Sequence, residues 1–398
     1  MNINDKIHND CVEYSMNAIK HICNNLPPRE SGSMGERMAQ EYLMKDIVDN
    51  GWADKTTIEE FEVSPKAFMG FSKIIPVLLV IGIIFFALKV LWAPLAMVVI
   101  SLIIFIAQFG LYKKFLDPLY PKTTSSNLIA VKQAAKVPQK RIIFSGHIDA
   151  AYEWTLFNKF GKGVFLGGLA YAILGIFVLT AMSITAMVKG YSLWQLIVML
   201  CCLPGFAALF FFSNYKKVVQ GANDNLTGSL AAVSILKYLK EADISYDDIE
   251  VTALITGSEE AGLRGAKAFA QKHLEECKQI PTMFIGFETL RDIEHITNYE
   301  KDLSGLVRHS DQAIELIDKA AIKVYGKPLK HGSIFLGASD AAAITQAGIT
   351  AGTLAAMDPA PAYYYHTRKD SADNLNPECF GEGLKLALNI LDIYAKED

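Results

Sequence analysis

The chain has 398 residues, a hydrophobic fraction of 51% and a net charge of −4. That fraction is too high for a purely soluble protein of two or three ordinary domains. The slightly acidic balance, without a clustered basic face, gives no indication of nucleic-acid binding. Its six cysteines show neither metal-type spacing nor a disulfide framework, which favours reduced, structural thiols.

The N-terminal segment is polar and alternates helix and strand patterns. Ser33, with Glu36 three residues later, predicts a capping box at the start of a helix. Residues 57–63 alternate apolar and polar positions, which predicts a strand. Residues 1–23 lack the apolar run of a signal peptide, so we expect no cleavable signal.

Four apolar runs follow, at residues 74–88, 91–112, 163–188 and 191–215. A membrane-spanning helix needs about 20 apolar residues; the first run is short, but lysines at its ends can snorkel. Short links within each pair predict two transmembrane hairpins, at 67–114 and 161–216. Because lysines concentrate at the ends opposite the hairpin tips, we expect a multi-pass membrane protein with a cytoplasmic catalytic domain.

The remaining segments carry further strand patterns between helical ones, at residues 127–131, 141–145, 249–256, 282–287 and 350–354. This alternation predicts an α/β fold, a sheet flanked by helices. We expect one discontinuous domain made of residues 1–66, 115–160 and 217–398. In such sheets, ligands gather beyond the carboxyl ends of the strands.

Several of these strand ends carry metal-ligand residue types. The candidates are two imidazoles and four carboxylates: His147, Asp224, Glu259, Glu260, Glu288 and His366. Two imidazoles and three carboxylates can hold a pair of divalent ions, and a further carboxylate can act as a base on the water between them.

Each candidate also has a plainer interpretation. His147 alone could be a hydrogen-bonded structural residue, Asp224 the N-cap of a helix, and Glu288 the partner of Arg291. The adjacent pair Glu259 and Glu260 is harder to explain without a positive charge nearby, because two neighbouring carboxylates repel each other.

Two neighbouring residues complete the candidate site. Asp149 could fix the ring of His147, since a metal-bound imidazole needs an acceptor for its other N–H. Tyr365 could donate its O–H to a developing oxyanion, although a packing role is equally open.

Together these stretches resemble the co-catalytic di-zinc aminopeptidase family, metallopeptidase family 28, which includes bacterial leucyl aminopeptidases, glutamate carboxypeptidase II and glutaminyl cyclases. The resemblance covers roughly residues 20–65 and 125–398 without the second hairpin, and rests on residues 28–33, 146–149, 223–228, 257–265, 339–340 and 365–367 with Asp370. It implies a zinc aminopeptidase-like fold, a mixed and largely parallel sheet flanked by helices, here with four inserted transmembrane helices.

The resemblance also implies a division of labour around two zinc ions, or other divalent ions. His147 and Glu288 would hold one ion, Glu260 and His366 the other, and Asp224 would bridge them. The usual product of the family is a free N-terminal amino acid released from a peptide.

The resemblance also implies roles for two further residues, and the chain departs from the family pattern at two positions. Glu259 would be the general base, and Asp149 would orient the imidazole of His147. The family commonly has His after the Ser-Asp pair, where this chain has Ala341, and His331 is a candidate substitute. Glu288 stands where the family often has Asp.

The second hairpin lies between two predicted ligands, His147 and Asp224. We therefore expect the site close to the lipid bilayer, with hydrophobic or membrane-associated peptides as substrates. An amidohydrolase on N-acyl amino acids and a glutaminyl-cyclase-like enzyme remain open, since metal ligands do not fix the substrate. A catalytically silent membrane scaffold is the alternative of another class; it predicts a missing ligand or base, and none is missing. No pattern indicates an oligomeric state.

Overall fold

The computed structural model describes residues 3–334 and 337–397. The helices in these residues are α1 (Asp5–Asn25), α2 (Met34–Asp49), α3 (Phe71–Ala87), α4 (Ala93–Phe105), α5 (Thr155–Lys189), α6 (Leu193–Leu200), α7 (Leu203–Phe210), α8 (Thr227–Glu241), α9 (Arg264–Gln279), α10 (Asp311–Tyr325), α11 (Asp340–Gln346) and α12 (Pro377–Tyr394). The strands are β1 (Lys55–Val63), β2 (Thr123–Lys132), β3 (Lys140–His147), β4 (Tyr152–Glu153), β5 (Asn214–Val218), β6 (Ile249–Thr256), β7 (Thr282–Leu290), β8 (Ile296–Asp302), β9 (Val307–Arg308), β10 (Lys330–Ser333) and β11 (Thr350–Ala356).

Most strands form one mixed sheet in the order β1-β2-β6-β3-β7-β11-β8-β10, with β9 paired to β8. The four central strands β6, β3, β7 and β11 run parallel, whereas β1, β2 and β8 are antiparallel to their inner neighbours. The carboxyl ends of the central strands therefore share one edge, where sequence analysis expects the ligands.

Side chains that alternate along the central strands enter two cores on opposite faces of the sheet. Phe144 and Ile285 pack in the core beneath α1, α8 and α12. Ile143 and Phe284 pack in the core beneath α9 and α11. Because both faces of the sheet are covered, successive residues of the central strands are apolar, rather than alternately apolar and polar.

The apolar runs form helices that pack on each other. Among the described residues, four helical stretches are long and apolar enough to cross a membrane: Phe68–Ala87, Ala93–Gly110, Thr155–Lys189 and Leu193–Phe210. Phe86, Leu179, Met199 and Phe206 are buried where the two hairpins meet. The hairpins thus form a single four-helix bundle, which sequence periodicity does not indicate.

The bundle helices differ in detail from the predicted runs. Helix α5 begins at Thr155, ahead of the predicted run, and is kinked at Gly161, whose φ is 76°. The fourth stretch is broken at Cys201 and Cys202 into α6 and α7, because Pro204 begins a new helix there. The domain boundaries inferred from sequence stay a prediction.

Candidate metal centre

Strand β3 brings the first candidate ligand to the edge of the sheet. His147 is its last residue and is 1% exposed. Its Nδ1 lies 3.2 Å from the backbone oxygen of Asp149 and 3.4 Å from the Oδ1 of the same residue. A Cβ on Gly146 would lie 2.3 Å from the backbone of Gly228, so a glycine here lets α8 pack directly against the strand.

Asp224 lies in the loop that leads into α8. Its backbone, with φ −110° and ψ 90°, is not helical, and α8 begins at Thr227, so Asp224 is not a simple N-cap. The carboxylate of Asp370 accepts the backbone N–H of Asn223 at 2.7 Å and that of Asp224 at 3.1 Å. Burial, and then the charge of Asp224, raise the pKa of Asp370 to about 7. Asp370 thereby holds the loop by its backbone and leaves the side chain of Asp224 free.

A tight turn after β6 carries the two adjacent glutamates. Ser258 has a φ of 55°, a backbone conformation that residues other than glycine adopt at a cost. Glu36 Oε1 accepts the Ser258 N–H at 2.7 Å. Asp149 accepts the N–H of Glu259 through Oδ1 and that of Glu260 through Oδ2, each at 3.0 Å. Two buried carboxylates therefore fix this turn.

Glu288 and His366 come from β7 and from the loop after β11. Next to Glu288, the backbone oxygen of Phe287 accepts a hydrogen bond from Asn225 Nδ2 at 2.7 Å. The backbone oxygen of His366 accepts the N–H of Trp154 at 2.8 Å, and the two rings lie 4.6 Å apart edge to face. Trp154 immediately precedes α5, so this helix is anchored at the loop that carries His366.

Five of the candidates converge into two groups that share Asp224. His147 Nε2 lies 3.2 Å from Asp224 Oδ1 and 3.7 Å from Glu288 Oε1. His366 Nε2 lies 3.3 Å from Asp224 Oδ2 and 3.2 Å from Glu260 Oε1. Within each group, the ligand atoms lie within 4.8 Å of one another. Asp224 therefore presents one oxygen to each group.

The chemistry of these side chains fits two divalent cations. His147 Nε2 and Glu260 Oε1 are buried and have no hydrogen-bond partner in the part of the chain that the structure describes. Buried polar atoms are usually paired, and buried like charges need positive compensation. Imidazole nitrogens and carboxylate oxygens are the ligands of catalytic zinc sites.

The charges of the cluster also shift the pKa values of the imidazoles. Burial alone lowers the pKa of His366, but Glu260 and Asp224 outweigh burial and raise it to about 10. The pKa of His147 is raised well above its usual value, against the effect of burial, with Glu259 as the largest contributor. Both shifts show an excess of negative charge, which bound cations would neutralise.

Glu259 and Tyr365 border the two groups. Glu259 Oε2 lies 3.8 Å from His147 Nε2, and burial raises the pKa of Glu259 well above its usual value. The Tyr365 ring stacks on His366 at 4.0 Å between centroids. Burial and the nearby carboxylates raise the pKa of Tyr365, so its O–H stays protonated and able to donate. Packing and hydrogen-bond donation are thus compatible in this one residue.

Two cavities reach the cluster. The first, which we call the outer cleft, has a volume of about 210 Å³ and is lined among others by Trp154, Phe165, Glu288, Tyr299, Pro359 and Tyr365. The second, the inner pocket, has a volume of about 50 Å³ and is lined among others by Phe68, Phe109, Phe212, Glu259, Glu260 and His366. Aromatic residues of both hairpin regions therefore border the candidate metal centre.

Sequence reasoning missed the role of Glu36. Ser33 Oγ accepts the Glu36 N–H at 3.2 Å, as a capping box predicts. However, the Glu36 carboxylate does not return to Ser33; it accepts hydrogen bonds from Gly32 N–H, Ser125 Oγ and Ser258 N–H. The prediction of a full capping box is therefore wrong: the hydrogen bond from the Ser33 N–H to the Glu36 side chain is not formed, because the helix start is buried against the turn after β6. Nothing in the local pattern signals this burial.

The candidate substitute for the missing histidine does not join the cluster. His331 lies on β10, is 40% exposed at its side chain, and contacts Asp318 Oδ2 at 2.7 Å. Among the described residues three groups of side chains could hold a metal ion, the two that share Asp224 and a third made of His147, Glu259 and Glu260, and His331 is in none of them.

Known proteins resemble this chain in sequence and in fold. Residues 207–391 match the sequence model of Peptidase family M28, which confirms the resemblance inferred from the motifs. No curated protein sequence matches the chain. The family match supports a peptidase-like hydrolase and implies zinc at the site.

Solved structures share the fold. A zinc aminopeptidase from Bacillus subtilis is similar with a TM-score of 0.59 and 14% identity, covering 97% of this chain and 96% of that one. An aminopeptidase from Aneurinibacillus sp. strain AM-1 gives 0.57 and 13%, with 98% and 95% covered. A glutaminyl cyclase from Fimbriiglobus ruber gives 0.58 and 14%, with 96% and 95% covered. The predicted fold class, with four candidate membrane spans added to it, is thereby confirmed.

Proposed function

We propose that this chain, whose residues 207–391 match peptidase family M28, is a membrane-anchored di-zinc aminopeptidase. It removes N-terminal residues from peptides close to the bilayer. The proposal rests on one observation above all: Asp224 directs Oδ1 toward His147 and Oδ2 toward His366, as a carboxylate between two cations would. A single-cation site would need only one of these groups.

The five ligands have the roles that the family resemblance implies. His147 and Glu288 would hold one zinc ion, Glu260 and His366 the other, and Asp224 both. When bound, the two ions supply Lewis acidity toward the scissile carbonyl and lower the pKa of water.

Glu259 is the general base in this proposal. Its carboxylate accepts a proton from the attacking water and donates it to the nitrogen of the leaving amine. Asp149 holds the backbone of Glu259 in place, and Tyr365 donates its O–H to the oxygen that gains charge on the substrate carbonyl.

The four apolar helices would cross the bilayer and leave the catalytic domain on the cytoplasmic side. Their lengths, from 18 to 35 residues, suffice for spans. Lys66, Lys113, Lys162 and Lys216 lie at the ends next to the catalytic domain, and positive charge favours the cytoplasmic face. The inner pocket, bordered by residues beside the bundle, is consistent with hydrophobic peptide substrates.

The test combines elemental analysis with hydrolysis of leucine 4-nitroanilide, on purified wild type and Glu259→Gln. We expect two zinc ions per chain in both proteins and a loss of kcat of about 10²–10⁴-fold in the variant. Glu275→Gln, at an exposed carboxylate on α9, is the matched control and should retain wild-type activity. Zinc without hydrolysis of any aminoacyl substrate would contradict the aminopeptidase proposal, and a chain that binds no metal would contradict the metal centre.

A further inference from the structure

A third cavity lies inside the helical bundle. This cavity, which we call the bundle groove, has a volume of about 290 Å³ and is lined among others by Phe71, Ser101, Phe105, Leu169, Ile173 and Phe177. Phe71 and Ser101 are buried at its floor, whereas Phe105, Ile173 and Phe177 are exposed at its rim. The groove therefore opens sideways between α4 and α5, on the surface that would face lipid.

The bundle groove adjoins the inner pocket. Phe109 and Phe212 line both cavities, and the inner pocket reaches Glu259 and His366. Phe109 follows α4, and Phe212 follows α7. The centroid of the Phe212 ring lies 4.8 Å from that of the Trp154 ring. Two aromatic side chains thus separate an opening in the bundle from the candidate metal centre.

The lining restricts what the groove can hold. Ser101 is its one polar residue among the described positions, and none of its lining residues is charged. A charged or strongly polar group placed there would lose its hydration without gaining a partner. An aliphatic chain, in contrast, gains from the burial of each methylene.

Building on the proposed function, we propose that the bundle groove and the inner pocket together hold the side chain of the N-terminal residue of the substrate. The preferred substrate class is then a peptide whose N-terminal residue carries a long aliphatic chain. Such a chain would enter from the bilayer between α4 and α5 and pass Phe109 and Phe212, while its amide bond stays beside Glu259. The second hairpin would in this way contribute specificity as well as anchoring.

The proposal makes chain length the variable to test. Hydrolysis is measured in lipid nanodiscs on 4-nitroanilides of linear 2-amino acids, from 2-aminobutyric to 2-aminododecanoic acid. Each methylene that enters the groove should raise kcat/KM by up to about three- to fourfold, until the groove is full. The readout is the ratio of kcat/KM between the longest and the shortest substrate, so each variant is its own reference.

Two filling variants and one matched control complete the design. Ile173→Trp fills the groove from its rim, and Ser101→Phe fills it from its floor. Ile84→Trp places the same substitution on α3, where Ile84 is 55% exposed, against 56% for Ile173, but lies outside the groove. We expect the ratio of kcat/KM between the longest and the shortest substrate to fall at least tenfold in both filling variants. In Ile84→Trp it should stay at the wild-type value.

Binding separates this inference from the proposed function. Isothermal titration of the same amides into Glu259→Gln should show affinity that rises with chain length, and Ile173→Trp added to this background should remove the rise. The inference would be overturned if affinity or kcat/KM of the wild-type groove did not depend on chain length. It would also be overturned if the ratio of kcat/KM between the longest and the shortest substrate were equal in all variants. Length-dependent binding without hydrolysis by wild type would instead overturn the proposed aminopeptidase activity and leave the groove assignment standing.

Discussion

Asp149 accepts the backbone N–H of Glu259 at 3.0 Å. The same carboxylate accepts the N–H of Glu260 and the Ser31 hydroxyl, and lies 3.4 Å from His147 Nδ1. One fully buried side chain thus connects β3, the turn after β6 and the N-terminal loop. The backbone position of Glu259 therefore depends on a residue that belongs to none of the potential metal-ligand groups among the described residues.

Asp149→Asn should reduce activity through this connection. The amide keeps one acceptor oxygen but turns an NH₂ group toward a backbone N–H, so one of the two buried N–H groups loses its partner. We expect kcat for leucine 4-nitroanilide to fall about 10–100-fold, with KM changed less than threefold. Asp247→Asn, at an exposed site, is the control. Activity of Asp149→Asn within twofold of wild type would contradict the positioning role.

Asp224→Asn and Glu288→Gln should differ in metal content. Because Asp224 contributes an oxygen to both ligand groups, its loss should weaken both sites and leave less than about one zinc ion per chain after dialysis. Glu288 belongs to one group, so Glu288→Gln should keep about one ion. Elemental analysis after dialysis against the same buffer measures this difference. Equal zinc in the two variants would contradict the sharing of Asp224.

Lys267 should make stability depend on pH. Burial lowers its pKa to about 7, from 10.5. Its Nζ donates to the backbone oxygens of Tyr112 and Gly262. Between these two pKa values the unfolded chain binds more protons than the folded chain, so the contribution of Lys267 to stability rises with pH from about 7.

The measurement is Tm in detergent at pH 6 and pH 9 for wild type, Lys267→Met and the exposed control Lys272→Met on the same helix. From pH 6 to pH 9 wild type should gain about 2 kcal/mol relative to Lys267→Met. The stability of wild type relative to Lys272→Met should not change between pH 6 and pH 9. If wild type gained stability relative to both variants, or relative to neither, Lys267 would not be the source of the pH dependence.

The orientation of the bundle can be tested with cysteine labelling. In a chain with Cys201→Ser, Lys189→Cys places a thiol at the tip of the second hairpin, and Lys162→Cys places one near its other end. If the catalytic domain is cytoplasmic, a membrane-impermeant maleimide added to intact cells should label Lys189→Cys and leave Lys162→Cys unlabelled until the cells are lysed. The reverse pattern would contradict the proposed topology.

Much of the fold could be predicted from local patterns. Strands β1, β2, β3, β6, β7 and β11 all cover predicted strands, since a buried strand leaves an apolar run bounded by polar residues. Strands β4, β5, β8, β9 and β10 were not predicted. Strand β8, for example, contains the polar residues Asn298 and Lys301, which interrupt any apolar run. Pairing with β11, β10 and β9 makes that segment a strand.

The sequence by itself determined the composition of the candidate site, because parallel strands bring residues at their carboxyl ends to a common edge wherever they lie in the chain. His147, Glu260 and Glu288 could be placed there from the strand patterns alone. Tertiary structure decided how these residues are held and enclosed. The burial of Glu36 against Ser258 and the approach of Phe109 and Phe212 to His366 depend on contacts between distant segments. Residue periodicity records which face of an element is apolar, but not what will pack against it.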